Sequence, residues 1–310
     1  MSKTIKILMA FDGSGQSLDA VRYISRFFPP GNTLVNLFHV ATELPEAYLD
    51  LGRNPAFSGK ISSITAWAME VKKNTEAAFV RAETILRQAG FPTSAVTPTY
   101  HTRKVGVARD ILTESRSGYD VLVVGRSGVS QLQEVVLGSV VNKLISATDH
   151  LPIAVVGGCP ETDKILIGFD GSESAFKAVD SVCELMVSAE RDVMLCHVVR
   201  SLNIFLQDQM IFGTEEEKMW LDETRRELDP AILKAEQKLI DAGFHPGRTF
   251  KQVLENKVTR AGGIIQAARE GQYGTIVVGR RGLSRVQEFI MGRVSRKVLH
   301  MGKEMTVWVI

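Results

Sequence analysis

Short apolar runs bounded by turn residues recur along the chain: Ile5 to Phe11, Thr33 to Val40, Val121 to Val124 and Pro152 to Val156. Each is too short for a helix and fits a strand buried on both faces of a parallel sheet. Between them, apolar residues return at helical spacing. Leu18, Val21 and Ile24 mark one helix. Trp67, Val71, Ala78, Ala82, Ile85 and Leu86 mark the inward face of another, expected over residues 66–88, with Gly90 where a C-terminal stop belongs. Ala95 to Tyr100 reads as a third strand, and Pro98 assigns it to a sheet edge. A helix over 107–117 leads into Val121.

The pattern then starts again. Ile165 to Phe169 runs into Asp170-Gly171-Ser172 as Ile5 to Phe11 runs into Asp12-Gly13-Ser14, an offset of 170 − 12 = 158 residues. Leu37-Phe38-His39-Val40 returns as Leu195-Cys196-His197-Val198 at the same offset. Ala89-Gly90-Phe91 returns as Ala242-Gly243-Phe244 at an offset of 153. A repeat this long means two copies of one domain, expected over 1–157 and 158–310 with a linker at 157–163. In the second copy Asp229-Pro230 reads as an N-cap and first helical residue, and Met305 to Ile310 as the last strand. Alternation of strand and helix predicts an α/β fold: two tandem Rossmann-like doubly wound domains, each a five-stranded parallel sheet with helices on both faces.

The candidate chemistry lies in Val121 to Ile145, VLVVGRSGVSQLQEVVLGSVVNKLI. A strand ends at Gly125, Gly128 follows, and Gly138-Ser139 opens a second apolar run at helical spacing. Glycines allow close backbone approach to a phosphate, and a helix N-terminus offers unpaired N–H groups and partial positive charge. Gly279, Gly282 and Gly292 repeat the pattern 154 residues later, but Arg293 stands where Ser139 stood. Arg293 either pairs with a phosphate or fills its place. In a doubly wound sheet ligands bind beyond the carboxyl ends of the strands, so Asp12 and Gly125 share a crevice if their strands are neighbours. Asp12 and Asp170 also fit plain helix N-caps. His39 and His197 read as satisfied core or crevice-rim histidines.

Composition narrows the classes. The chain has 310 residues, 45% hydrophobic and 23% charged, which suits a packed protein rather than a disordered one. A net charge of +2 gives no broad case for nucleic acid or a membrane surface. Arg280, Arg281, Arg285, Arg293, Arg296 and Lys297 nevertheless cluster, as a solvated helix face or as an anion or partner site. Cys159, Cys183 and Cys196 lack metal spacing and suit unpaired thiols in a reducing, cytoplasmic setting. No run spans a bilayer and no signal peptide is evident. Walker, GxGxxG and Gly-x-Ser-x-Gly motifs are absent, and no carboxylate pair is spaced for metal. The long connections 41–60 and 199–217 suggest lids or packed segments; Ile204, Phe205, Leu206, Met210, Ile211 and Phe212 make the second apolar.

Gly125, Gly128, Gly138 and Ser139, with Asp12 after the first strand, resemble the G-x2-G-x9-G-[S/T] motif and aspartate of the universal stress protein family. The duplication makes the chain similar to tandem members. The resemblance implies strand order 3-2-1-4-5, pairing through the last strand, ATP binding in many members and no agreed reaction. It implies phosphate contacts from Gly125, Gly128, Gly138, Ser139 and the backbone of Arg126 and Val140, and base and ribose contacts from Asp12 and Val40. The second-domain counterparts are Asp170, Val198, Gly279, Gly282, Gly292 and Arg293. The expected cofactor is ATP, with any Mg carried by its phosphates, and the first half is expected to bind it more tightly. At most a slow ATPase follows, for no residue argues for a base. The expected partners are an adenine nucleotide and the other half of the chain, as an intramolecular pseudo-dimer with strands 152–156 and 305–310 face to face; a homodimer remains open. Two other readings stay open: an interaction scaffold with degenerate sites, binding an apolar ligand, and an enzyme using the crevice for nucleotidyl or hydrolytic chemistry.

Overall fold

In a computed structural model, which describes residues 3–41, 55–128, 137–158, 162–200, 205–206, 209–210, 213–282 and 291–310, the chain divides into two compact units, residues 1–144 and 145–310. The first opens with β1 (Ile5–Ala10), α1 (Gly15–Phe27) and β2 (Thr33–Ala41). It continues through α2 (Pro55–Gln88), β3 (Val96–Thr102), α3 (Val107–Glu114), β4 (Val121–Gly125) and the start of α4 (Ser139–Ala147). The strands lie in the order β3-β2-β1-β4, all parallel, with Ile7 against both Val35 and Val121. Ile7, Leu8, Met9 and Val121 to Val124 are buried, as a sheet covered on both faces requires. Pro98 sits on the edge strand β3 opposite Leu37, where its missing N–H costs no second ladder.

The second unit takes up β5 (Ile153–Val156) and then repeats the plan: β6 (Ile165–Gly168), α5 (Glu173–Leu185) and β7 (Val193–Arg200). Two short strands, β8 (Phe205–Leu206) and β9 (Gln209–Met210), pair with each other. Then come α6 (Thr214–Ala242), β10 (Thr249–Lys257), α7 (Arg260–Glu270), β11 (Thr275–Val278), α8 (Arg293–Met301) and β12 (Thr306–Val309). The parallel order is β10-β7-β6-β11-β12, the expected 3-2-1-4-5 arrangement. Right-handed crossovers then put α5 with α6 on one face and α7 with α8 on the other. On its outer edge β12 pairs antiparallel with β5, Thr306 opposite Val156 and Val309 opposite Ile153. The strands expected to face each other are thus hydrogen-bonded. This ladder draws Ile145 onward into the second unit, ahead of the repeat boundary expected at 157.

Three expectations need correction. The long helix α2 begins at Pro55, not near residue 66, and it outruns the surface it packs on. Ala78, Phe79, Ala82 and Leu86 are buried, but Trp67 and Val71, in phase with them, are 61% and 40% exposed. Pro230 does not start a helix. It lies inside α6, whose real start is Gly213, where the Glu216 carboxylate accepts from the Gly213 N–H at 2.8 Å. Burial of Leu228, Ile232, Ala235 and Leu239 on both sides of the proline carries the helix through. Helix α3 ends at Glu114, short of 117. Residues 42–54 of the first long connection, 201–204, 207–208 and 211–212 of the second, Arg285 and Cys159 lie outside the described residues, as do the side chains of Ile204, Phe205, Leu206, Met210, Ile211 and Phe212. Cys183 and Cys196 are free thiols, and burial pushes Cys196 up to about 12.

Candidate functional site

Each unit opens a crevice at the carboxyl ends of its central strands, where β1 and β4, or β6 and β11, lie side by side. In the first unit the chain leaves β1 through Asp12-Gly13-Ser14. Gly13 takes φ +77°, a left-handed turn open to glycine, and Ser14 caps α1 by accepting from the Ser17 N–H. Asp12 is therefore not the N-cap. Its Oδ1 accepts from the Ser14 N–H at 3.0 Å, and its other oxygen faces the glycine loop. A Cβ added to Gly128 would lie 2.5 Å from Asp12 Oδ2, so the glycine and the carboxylate require each other. Asp170 repeats the arrangement: it accepts from the Ser172 N–H at 3.1 Å, Ser172 caps α5, and a Cβ on Gly282 would lie 2.6 Å from Asp170 Oδ2.

The other glycines answer to neighbouring backbone. A Cβ on Gly125 would stand 2.9 Å from the Gln16 carbonyl in the first turn of α1, and one on Gly279 would stand 2.6 Å from that of Ser174. The Gly138 N–H donates to the Arg126 carbonyl at 3.0 Å and the Gly292 N–H to that of Arg280 at 2.7 Å, closing both loops. Neither N–H is open to a ligand. The first turn of the following helix still offers donors, from Ser139 and Val140 in one unit and Arg293 and Val294 in the other.

The first crevice is a cavity of about 310 Å³. Asp12, Val40, Gly125, Gly128, Gly138, Ser139 and Val140 all line it, with Phe38, Val107 and Ile111 giving an apolar wall. Arg126 does not; its side chain is 5% exposed and burial pulls it down to about 10. The second cavity, about 400 Å³, is lined by Asp170, Val198, Gly279, Gly282, Gly292 and Arg293. Arg293 is exposed and the cavity beside it is open, so its bulk does not fill the place of a phosphate. Of the basic cluster, Arg280 is buried, donating from Nη1 to the Ile145 carbonyl at 2.6 Å, while Arg281, Arg293 and Lys297 line the crevice.

Sequence reasoning missed two contributors, Gln16 and Asp110. Gln16 Oε1 accepts from the Ser127 N–H at 2.5 Å, occupying a donor of the first glycine loop from within the protein. Asp110, buried, accepts from the N–H groups of Lys104 and Val105 at 2.7 and 3.1 Å and fixes the approach to α3, whose Val107 and Ile111 reach the cavity. His39 and His197 are the rim histidines expected, but with a defined role. Each holds Nδ1 at 2.9 and 2.8 Å from the carbonyls of Phe11 and Phe169, which fixes Nδ1–H as donor and leaves Nε2 an acceptor. Burial lowers both pKa values, against the raising effect of those bonds.

The universal stress protein family model matches residues 4–157 and again 161–309. The universal stress protein YxiE of Bacillus subtilis is 28% identical over 138 residues, 44% of this chain and 90% of its own length. Among solved structures, a universal stress protein from Archaeoglobus fulgidus superposes with a TM-score of 0.60 at 17% identity, covering 98% of this chain and 97% of its own. A putative universal stress protein from Pseudomonas aeruginosa gives 0.56 at 14% identity, covering 99% and 93%. At such identities the likeness is one of fold. Among the described residues no helix is long and apolar enough to cross a membrane, and no group of three or more His, Cys, Asp or Glu could hold a metal.

Proposed function

The chain belongs to the universal stress protein family, whose domain it carries twice, and from that premise we propose a regulatory protein that binds an adenine nucleotide, ATP, in its first crevice. One observation carries the reading: the Asp12 carboxylate, the Gly128 turn and the open first turn of α4 converge on one cavity with an apolar wall. An adenine ring suits Val40, Phe38 and Ile111; the phosphates suit Ser139 and the N–H groups of Ser139 and Val140. Asp12 then faces a ribose hydroxyl. Among the described residues lining this cavity Asp12 is the one carboxylate, so a magnesium ion would be held through the phosphates rather than by these residues. Among the described residues lining this cavity no carboxylate or histidine stands beside Ser139 and Val140 as a base, which favours a binding module over a hydrolase.

Mass spectrometry of small molecules released from the freshly purified chain, followed by calorimetric titration with ATP, tests the proposal. Gly138→Val should remove most binding to the first crevice. Its Cβ alone would lie 3.3 Å from Ser127 Cα, and the branch would force the loop apart. A chain that carries no nucleotide and gives no heat with ATP would refute the reading.

A further inference from the structure

The two crevices share a plan and differ in charge. Among the described residues lining the first there is no lysine or arginine. The described residues lining the second include Arg200, Arg260, Arg281, Arg293 and Lys297, with Asp170 their one carboxylate. Three of these are direct replacements at matching positions: Arg260 for Val107, Arg281 for Ser127 and Arg293 for Ser139. None of the five makes an ion pair with a carboxylate among the described residues, although surface cations elsewhere in the unit commonly do, as Lys177, Arg225 and Lys251 show. Five cations drawn to one concavity repel each other unless an anion joins them.

A second difference points the same way. In the first unit Gln16 holds the Ser127 N–H. The matching residue in the second is Ser174, and the Arg281 N–H makes no hydrogen bond among the described residues. The second loop therefore keeps a backbone donor that the first has spent on itself.

We infer that the second crevice is a polyphosphate site: it takes a chain of two or more linked phosphates, recognised by charge and by the loop N–H groups, with a base on that chain optional. The inference rests on reading the crevices as phosphate sites but not on adenine recognition in the first. Each added phosphate brings negative charge to five cations in the second crevice, whereas in the first it meets, among the described residues, helix N–H groups and the Ser139 hydroxyl.

Inorganic tripolyphosphate, titrated calorimetrically into the full chain, tests this, with AMP, ADP and ATP as comparison. Tripolyphosphate should bind, and its affinity should fall about tenfold or more between 50 and 200 mM salt, the ionic strengths to be used. A triple variant, Arg260→Ala, Arg281→Ala and Lys297→Ala, should lose about tenfold to a hundredfold. All three side chains are exposed, so the fold should survive, and the charge-keeping triple to lysine or arginine should retain most binding. Gly138→Val, in the first unit, should leave tripolyphosphate binding unchanged. Absence of tripolyphosphate binding, indifference to the triple change, or loss with Gly138→Val would overturn the inference. The two proposals fail separately: ATP bound with tripolyphosphate refused sinks this one, and tripolyphosphate bound with adenine nucleotides no better sinks the first-crevice reading.

Discussion

Asp12 has one oxygen committed to its own turn and one turned to the loop, and this division makes its role testable. Asp12→Asn keeps Oδ1 as acceptor for the Ser14 N–H, and Ser14 still caps α1, so folding should be nearly unaffected. The second oxygen becomes an NH₂ donor beside Gly128, where a ribose hydroxyl would find a poorer acceptor. The expected result is a nearly unchanged ligand-free melting temperature and ATP binding weakened about tenfold to a hundredfold. Full affinity with a lowered melting temperature would reduce Asp12 to a turn residue. The same scale shows where sequence reasoning stopped. Spacing alone located the glycines of both loops and the aspartates. It could not show that Gly125 and Gly279 make room for a helix turn, or that Gln16, 111 residues away in sequence, reaches the Ser127 N–H. Those are contacts between elements, and no local pattern encodes them.

Among the elements, the strands were the most legible, because burial on both faces leaves an unbroken apolar run that ends within a residue or two of the observed strand. Strand order needed the family resemblance, with Pro98 as independent support for an edge. Helix limits were read less well where tertiary contacts overrode local signals. Asp229-Pro230 carries a strong local start signal, yet Leu228 before it and Ile232 after it are both buried by the same helix. Pro230 itself is exposed and, lacking an N–H, leaves the Arg226 carbonyl without its helical partner. Pro230→Ala restores that donor without removing buried contacts. Against it stands the loss of proline's restriction of the unfolded chain, about 0.4–1 kcal/mol. The helical penalty of proline, about 3 kcal/mol, is larger. The variant should therefore gain about 2–2.6 kcal/mol, seen as a melting temperature raised by several degrees. A fall would mean that the backbone restriction of Pro230 is needed to seat Leu228 and Ile232 together.

Duplication gives the whole molecule two versions of one site, and a net charge of +2 conceals how unequally charge is divided between them. What the versions retain in common is as informative as what separates them. Each keeps an aspartate facing its loop and a histidine tied to the carbonyl that precedes that aspartate. Desolvation lowers the pKa of both histidines, opposed by the carbonyl bonds and by Asp12 and Asp170, while Arg260 adds to the lowering at His197. The consequence for stability has a definite sign. Above the free imidazole value of 6.5 both folded and unfolded chains hold neutral histidines, and the full stability is present. Below 6.5 the unfolded chain takes up protons that the folded crevices resist, so stability falls as pH falls until the lowered folded values are reached. Between about pH 7 and pH 5, above most of the carboxylate range, the melting temperature should decline. Replacing both histidines, His39→Gln and His197→Gln, keeps an N–H donor for each carbonyl and removes the titration. The decline should then flatten, with each single variant removing part of it. An undiminished decline in the double variant would mean that these imidazoles take up protons alike in the folded and unfolded chains, and the lowering by burial assigned to each would have to be given up.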